Sequence, residues 1–194
     1  MAQQWTGKRI EELALEVRAE IRLGSHERLD VYALAEEHGV PVYSIHHLDA
    51  HGCPSEAIMH FTSVRPDKWS AALVPVGHGC LILENSAHSL QRRRANVAHE
   101  MAHLLLEHEF NNVLFTDGGC SLGTAGRTKE NQAKALSAEL LVPKGAAIRA
   151  ARNYRSDEEV AQHFDVSIEF ARMRMNASGA RRIAERSRAK YARG

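Results

Sequence analysis

The sequence predicts an α+β fold in which a small antiparallel or mixed sheet packs on one long helix, with a helical element at the C-terminal end. Three observations lead to this prediction. Short apolar runs separated by Gly, Pro and Asp occupy residues 40–83, which is typical of strands joined by turns. Residues 89–108 contain no Gly or Pro and repeat apolar side chains at helical spacing. Residues 144–194 combine helical periodicity with an excess of Lys and Arg.

The composition indicates one globular domain, or one small domain with an appendage. The chain has 194 residues, of which 44 % are hydrophobic and 25 % are charged. Its net charge of +1 creates no general field for a phosphate backbone, although the part from Lys144 onward is basic. No segment has the apolar run of a signal peptide or a membrane span. We therefore expect a cytoplasmic protein without a membrane partner.

The cysteines favour a reducing compartment. Cys53, Cys80 and Cys120 are odd in number, widely spaced and without a CxxC pair. This pattern argues against a disulfide framework and against a zinc site built on cysteine.

The first half of the chain is predicted to contain two helices and the sheet. Apolar residues recur at helical spacing over residues 8–22, which predicts an amphipathic helix. Asp30 is a candidate cap for a second helix that ends at Gly39, and a strand begins at Val40. Further strands are expected at Ile58–Thr62, Ala71–Val76 and Cys80–Leu83.

The second half is predicted to be mostly helical. One buried helix covers residues 89–108. Residues 111–126 are rich in Asn, Gly, Asp and Ser and are expected to form a loop. Thr128 can cap the following helix, which continues to Leu141.

Two short helices separated by a tight turn are predicted near the C-terminus, at helix-turn-helix spacing. Ser156 and Glu159 form a candidate capping box for the first helix, and Ser167 can cap the second. Such a unit can enter the major groove of DNA. The second helix begins with Ile-Glu-Phe at residues 168–170, a poor set for base edges and phosphates. We therefore favour packing or partner docking over direct DNA binding for this element.

The chemistry is predicted to lie in the HExxH sequence His99-Glu100-Met101-Ala102-His103 within the long helix. Residues four apart share one helix face, so both imidazoles can reach a single divalent ion, for which zinc is the natural choice. Glu100 is close enough to accept a proton from water on that ion. Two imidazoles and a carboxylate in an apolar stripe are costly to bury unless they bind something. The motif therefore predicts that His99 and His103 are metal ligands and that Glu100 is the catalytic residue.

A catalytic zinc needs a third protein ligand and an open position. A metzincin would place a third His where this chain has Glu109, which excludes that class. The common alternative is a carboxylate on the next helix, and Glu130 in its first turn is our predicted ligand. Ala133 and Ser137 are small enough to allow close approach of the two helices. Glu139 is the rival, but it points to the opposite side of the helix, and we expect it at the surface.

Other polar residues are predicted to play supporting or structural roles. Helical geometry turns His108 about 140° away from His103, which leaves it either supporting a ligand or exposed. An additional donor to the oxyanion is usual in such sites. Tyr154, His163 and Arg127 are candidates, but each is expected to be structural or on the surface.

Two blocks of sequence carry a family resemblance. Residues 92–108 (RRRANVAHEMAHLLLEH), followed by residues 130–143 (ENQAKALSAELLVP), resemble the ImmA/IrrE family of metallo-endopeptidases. The chain differs from the family where Ala102 replaces a frequent Gly and where Lys134 replaces a frequent Asn or Asp. By this resemblance the functional positions are the metal ligands His99, His103 and Glu130 and the acid/base Glu100.

The resemblance also implies a fold and an activity. The expected fold is zincin-like, and the expected reaction is peptide-bond hydrolysis with zinc, or alternatively manganese, as cofactor. The implied substrate is a specific protein partner, namely a helix-turn-helix DNA-binding repressor or an antitoxin. The alternative hypothesis is a DNA-binding transcriptional regulator with a non-catalytic metal site. Glu100 favours the enzyme, because a structural metal site needs no base.

The predicted domain organisation has three parts. Residues 1–150 form the metallopeptidase domain, residues 151–180 the helix-turn-helix-like element, and residues 181–194 a basic tail that is either a frayed helix or disordered. The oligomeric state is left open. The residues expected to dock the protein partner are Phe170, Arg172, Met173 and Arg174.

Overall fold

The computed structural model describes residues 5–108 and 124–191. The helices within these residues are α1 (Gly7–Glu20), α2 (Val31–Glu37), α3 (Ser55–Met59), α4 (Leu90–Leu105), α5 (Thr124–Leu141), α6 (Lys144–Arg152), α7 (Asp157–Phe164), α8 (Ile168–Ala177) and α9 (Ala180–Tyr191). The strands are β1 (Val42–Ser44), β2 (Ala71–Val76) and β3 (Gly79–Glu84). Shorter helical turns are the 3₁₀ segments Ile45–His51 and Pro66–Lys68 and the π-helical segment His60–Val64.

The described residues form two compact units. One comprises the chain up to Asp30 together with the residues from Ala138 onward, and the other is Val31–Ser137. The boundaries of these compact units do not coincide with residues 150 and 180, where the sequence analysis divides the chain by function. That functional division stays a prediction.

The unit Val31–Ser137 contains a small mixed sheet, in the strand order β1-β3-β2. β1 runs parallel to β3, with Tyr43 opposite Leu83, and β2 runs antiparallel to β3, with Leu73 opposite Ile82. A two-residue turn joins β2 to β3, and Gly77 in that turn has φ +59°, a conformation that suits Gly. The prediction of a small antiparallel or mixed sheet is therefore confirmed in its mixed form.

Helix α4 packs against this sheet and against α2. One face of α4 is buried, as the apolar spacing predicts. Burying such side chains contributes about 1.5–3 kcal/mol each, which fixes α4 relative to the sheet. The fully buried apolar side chains of this core include Leu34, Ile82, Val97 and Met101.

The strand predicted at Ile58–Thr62 is wrong, because that segment is helical in α3 and in the π-helical turn after it. One contact of this segment comes from a side chain far along the chain. The amide nitrogen of Asn85, which is fully buried, donates to the carbonyl oxygens of Phe61 (2.7 Å), Pro66 (3.2 Å) and Trp69 (3.0 Å). These carbonyls are satisfied by a distant residue instead of by a neighbouring strand, which local sequence does not reveal.

The two helices that carry the predicted metal ligands differ from the prediction at their ends. Ser89 caps α4, but α4 ends at Leu105 rather than near His108. Helix α5 begins at Thr124, so residues 124–126 are helical and not part of a loop. The rest of the predicted loop, together with Glu109 and Cys120, lies outside the described residues.

The other unit is built from helices around a buried arginine. The side chain of Arg18 is 0 % exposed and donates to the carbonyl oxygens of Leu140 (2.6 Å), Gly24 (2.7 Å) and Glu27. Burial lowers the pKa of Arg18 to about 10, and its three carbonyl partners compensate part of that cost. The fully buried apolar side chains nearby in this unit include Leu140, Leu141 and Met175.

The C-terminal helices follow the predicted capping pattern. Ser156 and Glu159 make a complete capping box at the start of α7, and Ser167 accepts a hydrogen bond from Phe170 N in α8. Asp165, with φ +53°, makes the turn between these helices. For the tail, helix α9 extends to Tyr191 and buries Ala184, in line with the helical alternative.

Among the residues described, no helix has the length and apolarity needed to cross a membrane.

Candidate metal centre

Helix α4 places the two predicted histidine ligands side by side. The Nε2 atoms of His99 and His103 lie 3.2 Å apart, and their side chains are 23 % and 16 % exposed. The opposite face of the same helix is buried in the core. The rings are thus held on a rigid helix at the boundary between core and solvent, which favours precise placement of ligand atoms.

Helix α5 brings Glu130 to the same point. Its Oε2 lies 3.3 Å from Nε2 of His99, and its Oε1 lies 3.2 Å from Nε2 of His103. One turn and two turns further along α5, Ala133 is 0 % and Ser137 is 6 % exposed, so small residues line this side of the helix as expected. The three side chains form a cluster whose ligand atoms all lie within 4.8 Å of one another.

The geometry of this cluster fits a divalent ion. Ligand atoms about 2.1 Å from a tetrahedral zinc are about 3.4 Å apart from each other. The three separations of 3.2–3.3 Å are close to that value. Two imidazoles and one carboxylate are also a donor set found in catalytic zinc sites, and they leave a fourth position open. Within the described residues, His99, His103 and Glu130 are the only group of at least three such side chains arranged in this way.

Glu100 lies next to the cluster but has a different environment. Its Oε2 accepts a hydrogen bond of 3.1 Å from Leu73 N on strand β2. Burial raises the pKa of Glu100 from 4.5 to about 7; the hydrogen bond from Leu73 opposes the increase and the charge of Glu130 adds to it. A carboxyl group with a pKa near neutrality can both accept and return a proton.

The histidines are held in the neutral form that metal ligands require. Burial lowers the pKa of His99, the charge of Lys134 lowers it further, and Glu130 opposes the effect. Burial is also the main cause of the lowered pKa of His103, followed by the neighbouring His99. Neutral imidazoles present a lone pair to a cation without first losing a proton, so little free energy is spent on deprotonation at neutral pH.

His108 contacts His103, contrary to the helical geometry used to place it. Because α4 ends at Leu105, the chain turns back, and Nδ1 of His108 lies 3.0 Å from Nδ1 of His103. Nε2 of His108 lies 3.1 Å from Oε1 of Gln132 on α5. Of the two predicted alternatives, the exposed position is therefore wrong, because the side chain is only 7 % exposed, and support of a ligand stays a prediction.

Glu139 is buried, so the predicted surface position is wrong. Its carboxylate pairs with the guanidinium of Arg174 and accepts a hydrogen bond of 2.9 Å from Lys144 N. Its side chain is 9 % exposed and that of Arg174 is 8 % exposed. A buried carboxylate committed to these partners has no role in binding a metal, which agrees with the choice of Glu130 over Glu139.

Comparison with known families agrees with this geometry. The family model Peptidase_M78, described as the IrrE N-terminal-like domain, matches residues 56–176. This range covers more than half of the chain and contains α4 and α5. The chain belongs to the ImmA/IrrE family. Membership in the ImmA/IrrE family implies a peptidase with a metal cofactor. No curated protein matches the chain.

The two departures from the ImmA/IrrE pattern are accommodated by the fold. Ala102 is 0 % exposed in the core-facing side of α4, where a methyl group adds apolar contact. Lys134 is exposed on α5, one turn beyond Glu130. Its positive charge lowers the pKa of His99, so it acts electrostatically on that imidazole and not as a hydrogen-bonding amide or carboxylate.

The additional candidates from the sequence have other surroundings. Tyr154 is 74 % exposed, and the guanidinium of Arg188 lies 4.2 Å from its ring centre. His163 Nε2 lies 2.7 Å from the carbonyl oxygen of His26. Arg127 is exposed on α5. Sequence reasoning did not find Leu73 and Gln132: the first acts through its backbone, and the second carries no motif.

Proposed function

We propose that this protein is a zinc-dependent endopeptidase in which His99, His103 and Glu130 bind the metal and Glu100 transfers protons. The observation that carries the proposal is the convergence of two imidazole nitrogens and both oxygens of Glu130, at 3.2–3.3 Å, beside the half-buried carboxyl group of Glu100. A structural metal site would not need that carboxyl group. Zinc is favoured over manganese because two of the three donors are imidazoles.

The metal and Glu100 have separate tasks in this proposal. A bound divalent ion supplies a water of lowered pKa, near 7, and polarises the scissile carbonyl group. Glu100 accepts the proton released as water attacks that carbonyl, and it then donates the proton to the leaving amine. Leu73 N holds one carboxylate oxygen, Oε2, which leaves Oε1 of Glu100 to exchange the proton.

The proposed substrate is a specific protein partner, a helix-turn-helix repressor or an antitoxin, cut once rather than digested. The family resemblance supports this substrate class. Two of the residues predicted to dock the partner on α8 are not available for docking. Arg174 is buried, and Arg172 pairs with Asp157 at 3.1 Å. These contacts also leave α8 poorly equipped for DNA phosphates. Of the predicted docking residues, Met173 is 46 % exposed and Phe170 is half-buried, and the neighbouring Ile168, which was not in the predicted set, is 40 % exposed.

The activity is tested by incubating metal-loaded protein with the regulator encoded beside its gene. We expect two discrete fragments, and no cleavage after chelation. Glu100→Gln keeps the shape of the side chain but cannot carry the proton, so it should retain metal and lose a factor of about 10² to 10⁴ or more in rate. Unchanged cleavage by Glu100→Gln would contradict the assigned role, and tight operator binding by this chain alone would favour the regulator hypothesis.

Docking through α8 is tested with a matched pair of surface variants. Met173→Asp places a charge on the proposed surface, whereas Leu15→Asp does so on α1 at a similar exposure of 48 %. We expect Met173→Asp to slow cleavage of the folded partner but not of a short peptide that spans the cleavage site. Leu15→Asp should slow neither. Equal effects of both variants on the folded partner would rule out α8 as the docking surface.

A further inference from the structure

The end of helix α4 folds back on itself in a way that places His108. Glu107 adopts φ +54°, Glu107 N donates to Leu104 O (2.9 Å), and His108 N donates to His103 O (3.1 Å). These two hydrogen bonds after the cap residue Leu106 define a Schellman turn. The turn brings the backbone of His108 to the carbonyl of His103 and its ring to the ring of His103. One backbone motif therefore fixes both contacts.

The direction of the hydrogen bonds beyond this turn follows from Gln132. An amide oxygen can only accept, so Nε2 of His108, at 3.1 Å from Oε1 of Gln132, must carry the proton. A neutral imidazole has one N–H, so Nδ1 of His108 is an acceptor. Nδ1 of His103, at 3.0 Å, must then be the donor. The remaining nitrogen of His103, Nε2, is left with a lone pair that faces His99 and Glu130.

We propose that His108 and Gln132 are positioning residues that hold His103 in the tautomer protonated at Nδ1, so that its Nε2 is ready to bind the metal. This inference rests on the metal site proposed above. Ligating histidines commonly donate their second nitrogen to a carboxylate, a carbonyl or water, which fixes the ring and raises its basicity. Here a second, neutral histidine takes that place, and the amide of Gln132 sets its orientation.

The test compares metal affinity, measured by competition with a chelator, across variants of His108. His108→Phe keeps a ring but removes the acceptor, and we expect affinity to fall about 10- to 100-fold. His108→Asn restores an acceptor near the position of Nδ1 and should recover most of that loss. His88→Phe is the matched control, because His88 is a part-buried histidine whose Nε2 donates to Pro66 O (2.7 Å). It should bind metal as the wild type does.

A spectroscopic readout distinguishes positioning from a merely structural effect. In metal-loaded wild-type protein, the Nδ1 proton of His103 should give a downfield, slowly exchanging NMR signal. The signal should disappear in His108→Phe and return in His108→Asn. If His108→Phe does not fold, variants of Gln132 provide the test instead. Gln132→Glu keeps the acceptor and should retain metal affinity, whereas Gln132→Leu should weaken metal binding.

The outcomes separate this inference from the proposed function. Wild-type affinity in His108→Phe, or equal affinities of Gln132→Glu and Gln132→Leu, would overturn the positioning role while the metal site stands. Failure of the wild-type chain to bind any divalent ion would overturn the metal site itself, and this inference with it.

Discussion

Replacing Glu100 by Gln should stabilise the metal-free protein above neutral pH, although the same substitution slows catalysis. Glu100 is half-buried, and this partial burial raises its pKa from 4.5 to about 7. Between these values the unfolded chain has released its proton and the folded chain still holds it. The folded state therefore binds more protons, and its stability falls as pH rises from about 4.5 to about 7. Gln does not ionise, so the variant does not lose this stability as the pH rises.

The size of the effect follows from the pKa of Glu100. Each pKa unit corresponds to about 1.36 kcal/mol, so a pKa raised from 4.5 to about 7 sets a ceiling of about 3 kcal/mol on the gain at pH 8. Gln keeps an oxygen that can accept the hydrogen bond from Leu73 N, so little is lost in exchange. We expect Glu100→Gln to exceed the wild type by about 2–3 kcal/mol at pH 8 and by about 0 at pH 4.

The free energies of unfolding should be measured with denaturant at both pH values in the presence of a chelator. Glu16→Gln is the control, because Glu16 is exposed on α1 and its replacement should change stability by less than about 0.5 kcal/mol. With zinc bound, the gain of Glu100→Gln should shrink, since a nearby cation stabilises the carboxylate. A pH-independent difference, or lower stability of Glu100→Gln at pH 8, would refute the reasoning.

Two further predictions concern other strained or buried groups. Glu107 has φ +54°, a conformation that costs L-residues about 1–2 kcal/mol, so Glu107→Gly should raise the free energy of unfolding by about 0.5–1 kcal/mol; a decrease in a urea titration would show that the turn is not strained. Arg174→Met should lower it by about 3–5 kcal/mol, because Glu139 is left buried without its cation. Adding Glu139→Gln should recover most of this loss, since Gln can still accept from Lys144 N; a double variant no more stable than Arg174→Met would contradict the account.

Local patterns in the sequence were sufficient for the elements that depend on local chemistry. The periodicity of residues 89–108 located α4, and the capping box of Ser156 and Glu159 located the start of α7. The strand predicted at Ile58–Thr62 was wrong, and the carbonyl of Phe61 in this helical segment accepts from the distant side chain of Asn85. Propensity alone carries no information about such a contact.

The candidate site shows the same division. Two local features were enough to predict that His99, His103 and Glu130 meet: the spacing of the two histidines and the small residues on the side of α5 that carries Glu130. The predicted direction of His108, about 140° away from His103, was wrong because the chain makes a Schellman turn after α4. That turn depends on a non-Gly residue, Glu107, in a left-handed conformation. A sequence search for the usual Gly at such a turn finds nothing here.

Metal content measured by elemental analysis tests the central claim most directly. After equilibration with zinc and removal of the excess, the wild type, Glu100→Gln and Glu139→Gln should each hold close to one ion per chain. Glu130→Ala and His103→Ala should hold almost none, because two protein ligands do not retain zinc through dialysis. Full occupancy in a folded Glu130→Ala variant would contradict the account, because it would move the third ligand away from helix α5.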